Sequence, residues 1–251
     1  MKGPKTIRID QLLLERELAE SRHKAQALIL AGQVLADEQK IDKPGRRVAA
    51  DAEIRLLGQP AKFVSRAGFK LEGALERFGI DLEGKVCLDI GASTGGFTDC
   101  MLQRGAAKVY AIDVGSNQLH WKIRQDPRVE VREGVNARYL QREDLPETAD
   151  FACCDVSFIS VTLILPAVVE LLTPRAEMIV LAKPQFEVGR SEVGKGGIVR
   201  DPALRQAAAD RVAQSLRDLG FQRIEQMDSP LAGAEGNLEL LLWASERRAA
   251  A

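Results

Sequence analysis

The amino-acid sequence predicts an α/β protein built on a parallel sheet, preceded by a small α+β module. Three observations carry this. From Ser65 onward, short apolar runs rich in β-branched residues alternate with helical patterns, as in a parallel sheet with crossover helices. The run CLDIGASTGGFTDC, Cys87 to Cys100, stops an apolar strand at an acid and closely spaced glycines before a helix opens. Residues 7 to about 57 carry two short helical patterns and then turn-punctuated strands.

In chain order, Asp10 is expected to cap a helix carrying Leu12, Leu13 and Leu14. Ser21 is expected to cap a second helix, through Ala25, Leu28 and Ile29, with Gly32 at its C′ position. QVLADEQKI reads as two short strands about a polar turn, KPGRR as a turn, and AEIRLL as a closing strand. LGQPAKFV, residues 58–64 with Leu57 before them, reads as a linker, which divides the chain into 1–57, 58–64 and 65–251. SRAGFKLEGALERFGI is helical, with Leu71, Ala74, Leu75 and Phe78 on one face. Strands are expected at Val86–Ile90, Lys108–Asp113, Val129–Arg132, Ala149–Asp155 and Met178–Lys183, and a helix capped by Asp201 over Pro202–Leu219. The final runs, Phe221–Met227 and Leu238–Ala244, have no helix between them and predict an antiparallel hairpin at the sheet edge. SERRAAA has nothing to bury and is expected to fray.

At 251 residues and 45% apolar, the chain is long enough for one large domain plus a small one. No window approaches a membrane span, and MKGPKTIRIDQ lacks the apolar segment of a signal peptide, so a cytoplasmic protein is expected. Cys87, Cys100, Cys153 and Cys154 show no C-x-x-C spacing and read as buried, reduced thiols; no metal site is expected. Net charge is −1, which by itself points to no polyanionic partner. Its distribution is uneven. Residues 1–70 hold 14 Lys and Arg against 9 Asp and Glu, leaving 21 against 27 for the remainder, so a nucleic acid would be held first at the N-terminal end. Arg8, Arg22, Lys24, Lys43, Arg46 and Arg47 punctuate helix starts and turns there, a pattern that a solvated surface explains as well.

The glycine loop carries ligand chemistry. Gly91, Gly95 and Gly96 would let main-chain N–H groups approach a ligand, with Asp89 just before them and Asp113 ending the next strand, where a carboxylate takes a ribose diol. Gly91-Ala92-Ser93-Thr94-Gly95-Gly96 lacks the second glycine of G-x-G-x-x-G, which disfavours a dinucleotide and suits S-adenosylmethionine. An ordinary strand-turn-helix connection uses the same glycines. The two acids at consecutive strand ends favour a ligand site.

Polar residues at the carboxyl ends of the later strands are the next candidates: Asp155 in FACCDVSFIS, Lys183 in MIVLAKPQF and, opening the last strand, Glu239 in GNLELLLW. An ionised group in a run as apolar as LELLLW costs several kcal/mol unless paired, so these three are expected to face one another or a ligand. A structural ion pair at the sheet end would leave the same pattern. Arg66, Lys70 and Arg77 share a helical stripe that either tracks phosphates or is a solvated face. Gly189 to Lys195 fits G-x-x-x-x-G-K, but Gly196 stands where a phosphate loop needs Ser or Thr, and the segment reads as a loop over the substrate entrance. His23 and His120 stand alone. Trp121 and Trp243 read as core or edge residues, with Trp121 close enough to the cofactor strand to pack on an adenosine.

The string SRHKAQALILAGQVLADEQKIDKPGRRV resembles the S4 RNA-binding domain, and the strand and helix layout after it resembles the Rossmann-like class I methyltransferases. Lys70, Asp155, Lys183 and Glu239 resemble, in order, the Lys-Asp-Lys-Glu tetrad of FtsJ-like ribose 2′-O-methyltransferases. Together with SRAGFKL, DIGASTGGFTD, DVGSNQL, DPRV, DVSFIS, KPQFEVG and GNLE, the whole chain is similar to the TlyA family of ribosomal RNA cytidine 2′-O-methyltransferases, often labelled haemolysins. One departure is Ala67, where the family tends to carry glycine. The resemblance implies S-adenosylmethionine as cofactor and ribosomal RNA in ribosomal subunits as partner. It implies Lys183 as base within a catalytic set of Lys70, Asp155, Lys183 and Glu239, and Gly91 to Phe97 around the methionine end. Asp113 would take the ribose and Asn136 the adenine edge, although an Asn after a strand is most often a turn residue. A ribose hydroxyl attacks a methyl group only as its proton is drawn off, and a lysine can accept that proton only in its neutral form.

Other classes predict other sequences. An S4-linked pseudouridine synthase would carry an Arg-Leu-Asp motif in a mixed α/β domain, and a membrane-lytic haemolysin would carry an amphipathic or spanning segment. Neither is visible in the sequence. A non-catalytic S4 protein would require the tetrad to be accidental.

Overall fold

The computed structural model describes residues 6–57, 62–233 and 236–248. The chain separates into two compact units, Met1–Lys62 and Phe63–Ala251. Residues 58–61 of the expected linker lie outside the described residues, and Phe63 is buried in the core of the second unit.

The first unit consists of β1 (Thr6–Arg8), α1 (Ile9–Glu15), α2 (Arg22–Leu30), β2 (Val34–Ala36), β3 (Gln39–Ile41), β4 (Arg47–Ala49) and β5 (Ile54–Leu56). Ser21 caps α2 by accepting from Lys24 N–H at 3.2 Å, and Gly32 ends it at φ +66°, both as the sequence predicts. Strands β2 and β3 form a hairpin through Asp37 and Glu38, each at positive φ. Strand β5 pairs with the other edge of β2, and β1 with β4. Ile9, Leu12, Leu13, Ala25, Ile29, Val34 and Ile41 make the core.

Asp10 does not cap α1. It lies in the helix's first turn, fully buried, where it accepts from Arg8 at 2.9 and 2.8 Å, Arg22 at 3.2 Å and Gln26 at 3.3 Å. The helix starts two residues earlier than its capping pattern implies because Ile9 is drawn into the core, and that turns Asp10 inward to meet the two guanidinium groups.

The second unit runs α3 (Ala67–Phe78), β6 (Val86–Ile90), α4 (Gly96–Gln103), β7 (Lys108–Asp113), α5 (Trp121–Arg124), β8 (Val129–Glu133), β9 (Ala149–Cys154), α6 (Leu165–Val169), β10 (Leu172–Ala182), α7 (Pro184–Glu187), α8 (Pro202–Asp218), β11 (Phe221–Asp228) and β12 (Leu240–Arg247). Seven strands make one sheet in the order β11-β12-β10-β9-β6-β7-β8. The five strands from β10 to β8 are parallel. The final hairpin is antiparallel, as predicted, with β12 lodged between β10 and the edge strand β11. Strand β12 extends through Ser245 to Arg247, whose guanidinium donates to Val169 O at 2.7 Å, so the expected fraying does not begin at Ser245. Residues 249–251 lie outside those described.

The pleat sorts the core into two faces. Leu88, Ile90, Tyr110, Ile112, Ala152, Cys154, Val180 and Leu242 pack with α6 and α8. Cys87, Val109, Ala111, Phe151, Cys153, Leu181 and Leu241 pack with α3 and α4. All four cysteines are buried and free, as expected.

Asp10 yields a stability prediction. The Arg8 guanidinium holds its carboxyl well below the usual carboxylate range, so its contribution is present above the unfolded value of about 3.9 and lost as pH falls through the lower folded value. Asp10→Asn should destabilise the first unit by about 1–3 kcal/mol at pH 7 and remove this part of its acid sensitivity. Thermal unfolding of both proteins between pH 7 and pH 3 measures it; identical melting curves would refute the assignment.

Candidate active site

The alternation of the sheet gathers the predicted site. Asp113, Asp155, Lys183 and Glu239 all continue the face that carries α3 and α4: Asp113 follows Val109 and Ala111, Asp155 follows Phe151 and Cys153, Lys183 follows Ile179 and Leu181, and Glu239 precedes Leu241 and Trp243. The β10–β12 ladder ends on Ala182 opposite Leu240, so Lys183 and Glu239 are the next residues on the two strands. Helix α3 lies over this face and brings Lys70.

The four residues form two ion pairs. Lys70 Nζ meets Glu239 Oε2 at 2.5 Å, with both side chains almost wholly buried at 7% and 2% exposure. Gly233 fits against that carboxylate so closely that an added Cβ would lie 2.2 Å from Glu239 Oε1. Lys183 Nζ lies 2.6 Å from Asp155 Oδ1 and donates to Ser157 Oγ at 2.8 Å. The first pair is closed to water. The second keeps some exposure and borders a cavity.

That cavity, of about 440 Å³, is lined by Gly91, Ser93, Asp113, Asn136 and Asp155 among the predicted residues. Ile112, Val114, Val135, Ile159 and Ile164 add apolar wall. Asp113 is braced from below: Ser93 N–H donates to Oδ2 at 2.8 Å and Gly115 N–H to Oδ1 at 2.7 Å. Asn136 does what its position suggests twice over, lining the cavity while its Oδ1 caps the turn at Arg138 N–H. Asp155 Oδ1 is itself buried and faces the Lys183 ammonium, so the charge of this acid is balanced at the cavity wall.

Other predicted cofactor residues do not line the cavity. Asp89 points into the core between sheet and α4, fully buried, accepting from Thr98 Oγ1 at 2.6 Å, and burial pushes its carboxyl up to about 7. Ala92 and Phe97 belong to the α3/α4 core, and Thr94 is exposed with its carbonyl accepting from His120 N–H. The glycines answer to protein packing first. A Cβ on Gly91, at φ +86°, would lie 2.3 Å from the Asp155 carbonyl oxygen, and one on Gly96 2.2 Å from Ser65 Oγ; Gly95, at φ +90°, packs on Leu119 and Ile123.

The expected RNA-binding cations separate into groups. Arg8 and Arg22 serve Asp10, Lys24 pairs with Glu20 at 2.6 Å, and Arg47 donates to Thr6. Lys43 and Arg46 are exposed, with Arg46 reaching Gln39 at 3.4 Å. On α3 the stripe breaks, because Lys70 is buried while Arg66 and Arg77 are exposed.

Several residues on the site were not singled out from sequence. Ser157, Phe158 and Gln118 line the cavity; Phe158 sits at φ +67° and is 92% exposed, an uncommon backbone for a bulky residue. Asn237 is buried and ties down Gly197 and Val199 through its amide, fixing one end of the loop that follows Gly189. A polar residue two places beyond a strand-end acid was the available signal for Ser157. Trp243 is core and donates to Glu177, whereas Trp121 is 67% exposed beside His120, which caps α5.

The model of the FtsJ-like methyltransferase family matches residues 63–246, and that of the S4 domain matches residues 7–54. The chain is 45% identical over 237 residues to the 16S/23S rRNA (cytidine-2′-O)-methyltransferase TlyA of Mycobacterium tuberculosis, covering 94% of this chain and 88% of that one. It is 44% identical over 236 residues to Hemolysin A of Brachyspira hyodysenteriae, covering 94% and 98%. A solved structure of a hemolysin-labelled protein from Streptococcus thermophilus matches with a TM-score of 0.73 at 40% identity, over 99% of this chain and 90% of that one. Among the described residues no helix is long and apolar enough to cross a membrane. With an S4 domain joined to an FtsJ-like methyltransferase domain and this similarity along nearly its whole length, the chain belongs to the TlyA family.

Proposed function

We propose that this protein methylates the 2′-hydroxyl of a cytidine in ribosomal RNA, using S-adenosylmethionine as donor and Lys183 as proton acceptor. One observation carries the proposal: Lys183 Nζ is held between Asp155 Oδ1 and Ser157 Oγ, and both of those residues line the cavity that Asp113 and the glycine loop define. Ribosomal RNA as substrate puts the protein in the cytoplasm.

The cavity suits the cofactor in size and in donor set. Asp113 would take the ribose hydroxyls, the apolar wall at Ile112, Val114 and Val135 the adenine, and Asp155 and the backbone at Gly91 the amino-acid end. Bound there, S-adenosylmethionine supplies an electrophilic methyl on a positive sulfur. The chain's own task is to orient the ribose oxygen and remove its proton. Asp155 and Ser157 fix the direction of Lys183 Nζ, the atom that would receive the proton. Lys70 and Glu239 close the neighbouring ground against water, and their pairing keeps both charges in an apolar surround.

Lys183→Ala should lower turnover by about 10²–10⁴-fold while cofactor affinity stays within about threefold. Lys183→Arg should not restore it, since guanidinium remains protonated. Transfer of labelled methyl to purified ribosomal subunits measures both, and the product should resist alkaline cleavage at the modified nucleotide. Label on a base, or full activity in Lys183→Ala, would defeat the proposal.

Asp113→Ala should weaken S-adenosylmethionine binding by about 1.5–3 kcal/mol, through lost ribose contacts and release of the Ser93 brace. Isothermal calorimetry reads this directly, and unchanged affinity would place the cofactor elsewhere.

The first unit would hold RNA through its free cations. Replacing Lys43 and Arg46 together with alanine should reduce the slope of log affinity against log salt by about 1.5, as for two phosphate contacts, and leave cofactor affinity alone. Arg8 and Arg22 are poor choices for that experiment, since their loss also strips Asp10. An unchanged salt slope would exclude Lys43 and Arg46 from the RNA path.

A further inference from the structure

Glu187 ends α7, four residues after Lys183, and is 2% exposed. Its Oε2 accepts from Ser160 Oγ at 2.5 Å and its Oε1 from Val161 N–H at 2.8 Å. Burial raises its carboxyl above the usual range, and these two donors work against that shift. The Glu187 backbone is held as well, since Arg211 of α8 donates to its carbonyl.

These bonds complete a ring. Asp155 starts the loop after β9, which runs through Ser157 to Ser160 and Val161; Lys183 starts the turn after β10, which runs through α7 to Glu187. Lys183 Nζ joins Ser157 at one end of the two segments, and Glu187 joins Ser160 and Val161 at the other. Ser160 and Val161 present an O–H and an N–H from adjacent residues. A carboxylate can accept from both at once. Ser160 is itself the cap of the next turn, accepting from Thr162 N–H, so its position is passed on to the chain beyond.

We propose that Glu187 is a positioning residue for the methyl transfer, clamping the loop after β9 to the turn after β10 so that Ser157 holds Lys183 Nζ at the cavity. This rests on the assignment of Lys183 above. A misplacement of about 1 Å in a group that must meet a reacting atom costs on the order of 10²-fold in rate.

The test is a double-mutant cycle in the full chain, with labelled-methyl transfer to ribosomal subunits and melting temperature as parallel readouts. Glu187→Ala should lower kcat by about 10–100-fold and raise KM for S-adenosylmethionine by clearly less, at most about fivefold, since the loop also forms one wall of the cofactor cavity. Glu187→Gln, which keeps an acceptor for Val161 N–H, should recover most of the rate. In a Ser157→Ala background, Glu187→Ala should cost no more than about threefold further, because the group it positions is already gone. If Glu187→Ala fails to fold, Ser160→Ala decides, with an expected kcat loss of about 3–10-fold that Ser157→Ala likewise absorbs. Full activity in the folded variant, or effects of Glu187 and Ser157 that multiply completely, would overturn the clamp. Activity surviving in Lys183→Ala would instead remove the assignment on which it rests.

Discussion

The period-two pleat of the seven-stranded sheet is the constraint on which the site depends. In β9, β10 and β12 the last residues that face α3 and α4 are apolar (Phe151 and Cys153, Ile179 and Leu181, Leu241 and Trp243) and then, one place past the last paired residue, become Asp155, Lys183 and Glu239. A slip of one residue in any of these strands would send its charged group to the face covered by α6 and α8, and would exchange two sets of core residues at once. The hydrophobic burial that stabilises the fold therefore also sets the register of the chemistry.

The two ion pairs at this edge differ in kind. Lys70–Glu239 is a closed pair, and such pairs commonly cost about as much in desolvation as they return in attraction, so its presence is better explained by what it organises than by stability. Lys183–Asp155 is more open and shares Ser157 with the cavity wall. Shape follows charge here. Gly233 leaves room for the Glu239 carboxylate, and Gly91 leaves room for the Asp155 carbonyl, so two glycines distant in sequence each permit a close approach to one member of the tetrad.

In the N-terminal unit one buried acid plays the corresponding part. Asp10 draws Arg8 and Arg22 from two different elements onto the same carboxylate, which orders the start of α1 against α2. Lys43 and Arg46, two exposed cations for which no ion pair is found among the described residues, lie around the turn before β4. A surplus of basic residues thus overstates the charge available to a phosphate backbone, because part of it is paired with a buried acid.

The sequence by itself determined most of the element order, though not the β1–β4 ladder or the early start of β10, and it determined the ends of β6 and β7, the caps at Ser21 and Asp201 and the antiparallel final hairpin, because each rests on local backbone preference or on a short period of burial. It also marked Asp155, Lys183 and Glu239 as charges that could not sit in apolar runs alone. Tertiary structure decided which charges met. Lys70 lies on a helix whose pattern reads equally as a solvated stripe, and only the packing of α3 over the sheet turns it onto Glu239. Asp89 and Asp113 look alike in sequence, yet the cavity takes Asp113 while α4 closes over Asp89, since a helix axis, not a strand period, fixes which acid is covered. Arg8 and Arg22 stay at the surface, but the inward turn of Asp10 commits both to one buried carboxylate. Glu187 stood within the KPQFEVG match but its role was not legible there, because its partners lie 26 and 27 residues away across two loops, a distance that local pattern does not span.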